Sequence, residues 1–128
     1  MRNNWNSESQ WESAFGYSSA VQIGNFLEVS GTSAFDGSRI VGLDDITLQT
    51  EYIIKKIEFT LSEAGFDLSH VIRTRIYVTD ISLWKEIAAV YSYLFNNCRP
   101  ASTIVEVSKL IHPEMLIEIE ATALKETE

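Results

Sequence analysis

The chain has 128 residues, 18 acidic and 10 basic side chains for a net charge of −8, and 45% hydrophobic content; this suits one globular domain and excludes a disordered tail. A single Cys and two His rule out an internal disulfide and any zinc site built from four cysteines or from paired cysteines and histidines, and no apolar run has the length of a membrane span. The acidic balance opposes nucleic acid and anionic lipid, and the lone Cys with no apolar leader points to the reducing cytoplasm.

Residues 1–14 are polar with two Trp, Trp5 and Trp11, and read as an arm, loose or docked, ahead of a domain over 15–128. Residues 19–32 predict a hairpin: Val21 and Ile23 alternate with polar residues, Gly24-Asn25 makes the turn, and 26–30 returns. Residues 33–42, with Gly37 and Gly42, predict a loop. Asp44 and Asp45 suit a helix start, and Ile46, Thr50, Ile53, Ile57, Leu61 and Ala64 recur at helical spacing. A helix over 45–64 ending at Gly65 follows.

A strand over 71–79 comes next, with Ile76 and Val78 on one face and Arg73, Arg75 and Tyr77 on the other. Asp80 or Ser82 caps a second helix whose apolar stripe is Leu83, Ile87, Val90, Tyr91 and Leu94. Residues 96–100 predict a loop in which Pro100 keeps Arg99 out of the helical region. Strands over 102–107 and 116–124 close the chain, joined by a loop holding His112-Pro113. In the last strand Ile117, Ile119, Ala121 and Ala123 share one face and Glu118, Glu120 and Thr122 the other. The order is ββαβαββ, an α+β domain with two helices covering one face of a sheet. The opposite face mixes charge and apolar groups, which fits either a wet surface or an oligomer contact.

No GxSxG, P-loop or GxGxxG motif is present. Arg99 beside Cys98 would lower the thiol pKa, but an ordinary loop thiol is the simpler reading, since no His lies near it in sequence. His70 and His112 read as surface loop residues, and no metal or cofactor is expected. Glu118 and Glu120 form a same-face carboxylate pair, suited to acid–base work or to ion pairs across the sheet with Arg73 and Arg75.

Several stretches together resemble the Rid family, also called YjgF. They are Gly16-Tyr17, GNFLEVSGT (24–32), RTRIYVTDI (73–81), RPASTIVEVSKL (99–110) and MLIEIEATA (115–123). The resemblance runs from about Phe15 almost to the C-terminus. It implies a chorismate-mutase-like fold and a homotrimer whose sheets face inward, with small-molecule clefts between subunits. It also implies hydrolysis of enamines and imines such as 2-aminoacrylate to 2-oxo acids and ammonia. Carried over position by position, Tyr17 and Ser30-Gly31 line the cleft and Glu118 positions the water. The family's carboxylate-gripping Arg, in Pro-Ala-Arg-Ser, is Ser102 here, in Pro100-Ala101-Ser102-Thr103. An Asn on the family's second helix is replaced by Ala88, and the loop before Pro100 is shorter.

Losing such a bidentate charge pair typically costs about 2–5 kcal/mol of binding. Either Arg99 or Arg75 serves instead, or the ligand is neutral and hydrogen-bonds to Ser102. Two functions follow: a deaminase-type hydrolase acting on a substrate other than a typical 2-aminoacrylate-like acid, or a trimeric metabolite-binding or regulatory module without turnover. A ribonuclease label attaches to some relatives, and the charge of −8 opposes it.

Overall fold

The computed structural model describes residues 1–7 and 9–127. One six-stranded sheet carries two long helices on a single face. Its strands are β1 (Arg2–Trp5), β2 (Ala20–Ile23), β3 (Phe26–Thr32), β4 (Val71–Val78), β5 (Ala101–Glu106) and β6 (Ile117–Leu124), in the order β1-β2-β3-β6-β4-β5. The pair β4–β5 is parallel, as its helical crossover requires, and every other pair is antiparallel. The helices are α1 (Gln10–Phe15), α2 (Ile46–Glu63) and α3 (Trp84–Phe95).

The expected α+β architecture and the ββαβαββ order over 20–124 are present. The N-terminal fourteen residues hold regular structure as well. β1 pairs with β2 from Arg2↔Ile23 to Trp5↔Ala20, and α1 follows. Ser9 caps α1 by accepting from the Trp11 N–H at 3.2 Å. Glu12 is buried, where it accepts from the Ser7 N–H at 3.0 Å, the Ser7 hydroxyl, and the Ser19 hydroxyl at 2.5 Å. Trp11 packs edge-on against Phe35, with ring centroids 4.6 Å apart.

α2 begins where Asp45 accepts from the Leu48 N–H at 3.0 Å. Ile53, Ile54, Ile57 and Leu61 bury the helix on β3 and β6, each fully buried side chain contributing about 1.5–3 kcal/mol. It ends at Gly65, whose φ of 84° lets the Phe66 N–H turn back to the Leu61 carbonyl at 2.8 Å. Gln49, wholly buried on this helix, donates to the Gly42 and Glu114 carbonyls at 3.1 and 2.9 Å and accepts from the Leu116 N–H at 2.9 Å. It thereby ties the loop that enters β6 to α2.

Asp80 caps a short 3-10 turn at Ile81–Leu83 rather than α3 itself, which starts at Trp84 with no side-chain cap. At its far end Arg99 takes φ 47°, and its N–H closes on the Phe95 carbonyl at 2.9 Å. Pro100 thus does keep Arg99 out of the right-handed region. Ile76, Val78, Ile117, Ile119, Ala121 and Ala123 face the helices. Arg73, Arg75, Tyr77, Glu118, Glu120 and Thr122 lie on the uncovered face, as the strand alternation predicts.

Candidate functional site

β3 loses its regular register against β6 between Val29 and Thr32, so Ser30 and Gly31 sit in a bulge facing the carboxylate strand. The bulge is held by the Ser30 N–H on the Ser19 carbonyl at 2.9 Å and the Ser30 hydroxyl on the Ser18 carbonyl at 2.6 Å. Gly31 has no positive φ; space is what demands glycine there. A Cβ would run into the Glu118 carboxylate, with the carboxyl carbon only 3.0 Å away. The bulge and the acid are therefore fitted to each other.

Around this contact lies a cleft of about 450 Å³. Tyr17, Ser30, Gly31 and Ser33 line one side and Glu118 and Glu120 the other. Trp11 and Phe15 from α1, with Ile111 and Met115 from the loop before β6, supply apolar wall. One chain thus brings together four residues singled out from sequence, Tyr17, Ser30, Gly31 and Glu118.

The two carboxylates have different surroundings. Glu120 accepts from the Tyr77 hydroxyl at 3.0 Å and pairs with Arg75, Nη1 to Oε1, at 3.7 Å. Glu118 takes no hydrogen bond or ion pair among the described residues. Partial burial, and then the charge of Glu120, push its pKa above the usual 4.5. Tyr17 is likewise held above its usual 10.0, by burial first and then by the charges of Glu12 and Glu118. The environment is negative and partly dry, the condition under which a carboxylate becomes a better base near neutral pH.

The remaining predicted residues lie elsewhere in the chain. Ser102 pairs in register with Thr74 on the helix-covered side of the sheet, opposite the face that carries Glu118. Its hydroxyl accepts from Thr74 Oγ1 at 2.7 Å, and Thr74 Oγ1 lies 2.6 Å from the Tyr91 hydroxyl on α3. A chain of three hydroxyls thus occupies the edge at β5. Arg99 is exposed at the end of α3, and Arg75 is engaged by Glu120. Arg73 donates to the Thr103 hydroxyl at 2.8 Å.

Cys98 donates its thiol toward the Leu68 carbonyl at 3.3 Å, and burial pushes its pKa up. Burial outweighs the lowering by the Cys98 and Arg99 backbone N–H groups, in keeping with the ordinary loop thiol favoured from the sequence. His70 Nδ1 accepts the Asp67 N–H at 3.0 Å and His112 Nδ1 the Glu114 N–H at 3.1 Å, so both rings have structural duties in turns.

Sequence reasoning missed Glu12. Ser9-Gln10-Trp11-Glu12 has the Ser-x-x-Glu form of a helix start and would have placed α1. In the fold, however, Glu12 reaches Ser7 and Ser19. A further cavity of about 570 Å³ lies beneath this segment, lined by Glu12, Lys56, Tyr52 and Phe59 and sharing Trp11 and Tyr17 with the cleft. Lys56 donates to the Ser33 and Phe35 carbonyls at 3.3 and 2.6 Å, and burial lowers its pKa.

Comparison with known proteins agrees with the fold. A RutC family protein of Pyrococcus abyssi is 39% identical over 113 residues, spanning 86% of this chain and 87% of the relative. A crystal structure of a YjgF/YER057c/UK114 family member from Mycobacterium tuberculosis superposes with a TM-score of 0.88 at 46% identity, over 98% of this chain and 100% of that one. A putative endoribonuclease structure from Thermotoga maritima gives a TM-score of 0.82 at 30% identity, covering 97% of this chain and 93% of its own. The model of the family described as endoribonuclease L-PSP matches residues 7–125, from ahead of α1 through β6. By sequence and by fold, the chain belongs to this endoribonuclease L-PSP family, the YjgF/Rid proteins.

Proposed function

We propose that the protein is a cytoplasmic small-molecule hydrolase of the enamine/imine deaminase type, acting as a homotrimer with its sites between neighbouring copies. The observation that carries this is Glu118, partly buried and without a partner among the described residues, set against Gly31 beside Tyr17 and Ser30. The cleft of one protomer is half of the site, and the β5 edge of a neighbour, with Ser102, supplies the rest. The uncovered face, with Ile23, Phe26, Val105 and Leu124 exposed, supports burial against other copies.

The chemistry needs an aimed water and a proton path. The Glu118 carboxylate accepts a hydrogen bond from water and takes its proton as the oxygen attacks the imine carbon. That proton passes to the nitrogen, the hydroxyl proton of the resulting carbinolamine follows it through the same carboxylate, and the carbon–nitrogen bond breaks to leave a carbonyl compound and ammonia. The raised pKa of Glu118 puts the base closer to neutrality, where proton transfer in both directions is effective. Ser30 and Tyr17 shape the wall against which the imine lies. The concentration of Glu12, Glu118 and Glu120 opposes an RNA backbone.

A second reading, a metabolite-binding trimer without turnover, is favoured by one observation. The position of the family's cation belongs to a short hydroxyl chain, Ser102 to Thr74 to Tyr91. Imines generated in place by an amino-acid or amine oxidase, followed in wild type, Glu118→Ala and Ser102→Arg, separate the two. Catalysis requires wild type above buffer and Glu118→Ala at the buffer rate. Wild type equal to buffer, with activity gained by Ser102→Arg, establishes the binding module. A monomeric mass in solution would remove the shared cleft from both.

A further inference from the structure

The walls of the cleft carry information about its ligand that the carboxylate alone does not. Trp11, Phe15 and Tyr17 line it with three aromatic rings, and Phe15 and Tyr17 lie 6.4 Å apart and tilted, Phe15 largely open and Tyr17 partly so. The polar side consists of Glu118 and Glu120. The cation nearest to them, Arg75, is directed at Glu120. Glu12 adds a further negative charge behind Tyr17. At the β5 edge the family's guanidinium has given way to hydroxyls already bonded to each other.

A ligand carboxylate would face Glu118 with no counter-charge among the described residues of the cleft other than Arg75, already paired with Glu120, whereas a cation would be held by the acids and by the ring faces. We propose that the cleft takes a cationic ligand with an apolar side chain and no carboxylate, namely the protonated imine of an oxidised primary amine rather than of an amino acid. Its turnover rests on the deaminase reading above; its binding does not. Water adds to R–CH=NH2⁺ through a new carbon–oxygen bond, Glu118 carries one water proton to the nitrogen, and the carbon–nitrogen bond breaks as the remaining hydroxyl proton passes, again through Glu118, to the departing ammonia. R–CHO and NH4⁺ result, with charge and atoms conserved and no change of oxidation state. The reaction that must supply this substrate is oxidation of a primary amine, and its product is an aldehyde for a later step.

The test uses two imines that differ only in the carboxylate. One is formed in place from 2-phenylethylamine by an amine oxidase, the other from L-phenylalanine by an amino-acid oxidase. Semicarbazide competes for each. The full chain should accelerate loss of the amine-derived imine at least tenfold more than that of the amino-acid-derived one. Ser102→Arg should shift the ratio toward the carboxylate. Binding, read from the fluorescence of Trp11 with Trp11→Phe as control, should be at least tenfold tighter for 2-phenylethylamine than for 3-phenylpropionate. Equal or tighter binding of the carboxylate, or faster turnover of the amino-acid imine, overturns the proposal and leaves the deaminase reading standing. Tight amine binding with neither imine hydrolysed upholds the ligand class and removes the deaminase reading instead.

Discussion

Replacing Gly31 by Ala probes the contact on which the site depends. The backbone accepts the change, since Gly31 is not among the positive-φ residues. Restricting the unfolded chain then stabilises the variant by about 0.4–1 kcal/mol. Against this, the new Cβ would stand 3.0 Å from the Glu118 carboxyl carbon and 3.3 Å from its Cγ, so the side chain must swing away. Overpacking of this kind costs about 1–3 kcal/mol. The net loss expected in urea unfolding is roughly 1–2 kcal/mol, at the low end because a side-chain tip, not backbone, must give way. Displacing the carboxylate by an ångström should reduce imine hydrolysis about a hundredfold. In a Glu118→Ala background the clash is absent, and Gly31→Ala should be neutral or slightly stabilising. Wild-type turnover in Gly31→Ala, or the same stability loss in both backgrounds, would refute the proposed fit between bulge and acid.

Three further outcomes are expected. The native state holds the Glu118 proton above pH 4.5, longer than the unfolded chain does, so stability falls as pH rises from 4.5 through the raised folded value. Glu118→Gln should therefore gain stability relative to wild type on going from pH 4 to pH 7 in urea melts, while wild-type kcat/KM should rise with pH as the carboxylate ionises. Gln49→Leu should cost about 3 kcal/mol or more by thermal or urea unfolding, because it leaves the Gly42 and Glu114 carbonyls and the Leu116 N–H without their buried partner.

Legibility followed the physical signal. α2 and β6 stood out because long apolar periodicity and strict alternation are written by burial on one face, and the structure keeps both. β1 did not, because Arg2-Asn3-Asn4-Trp5 has no apolar alternation and becomes a strand only by bonding to β2. α1, at six residues, is too short to show a period. The cleft was half legible. Glu118, Tyr17, Ser30 and Gly31 followed from the family resemblance, and they do meet. The tight approach of Gly31 to Glu118, and the assignment of Ser102 to the opposite side of the sheet, depend on a bulge and on a parallel register. Neither is fixed by the local sequence.

The last strand of the chain lies near the middle of the sheet, between β3 and β4. During synthesis, β1–β2–β3 and β4 with β5 emerge as two fragments, each with an open edge where residues 117–124 belong. Residues 117–124 must be made before either edge is sealed, so shorter nascent chains are exposed to mispairing. Since Glu118 travels on that same strand, the protein completes its sheet and sets its partly buried carboxylate against Gly31 in one closing step.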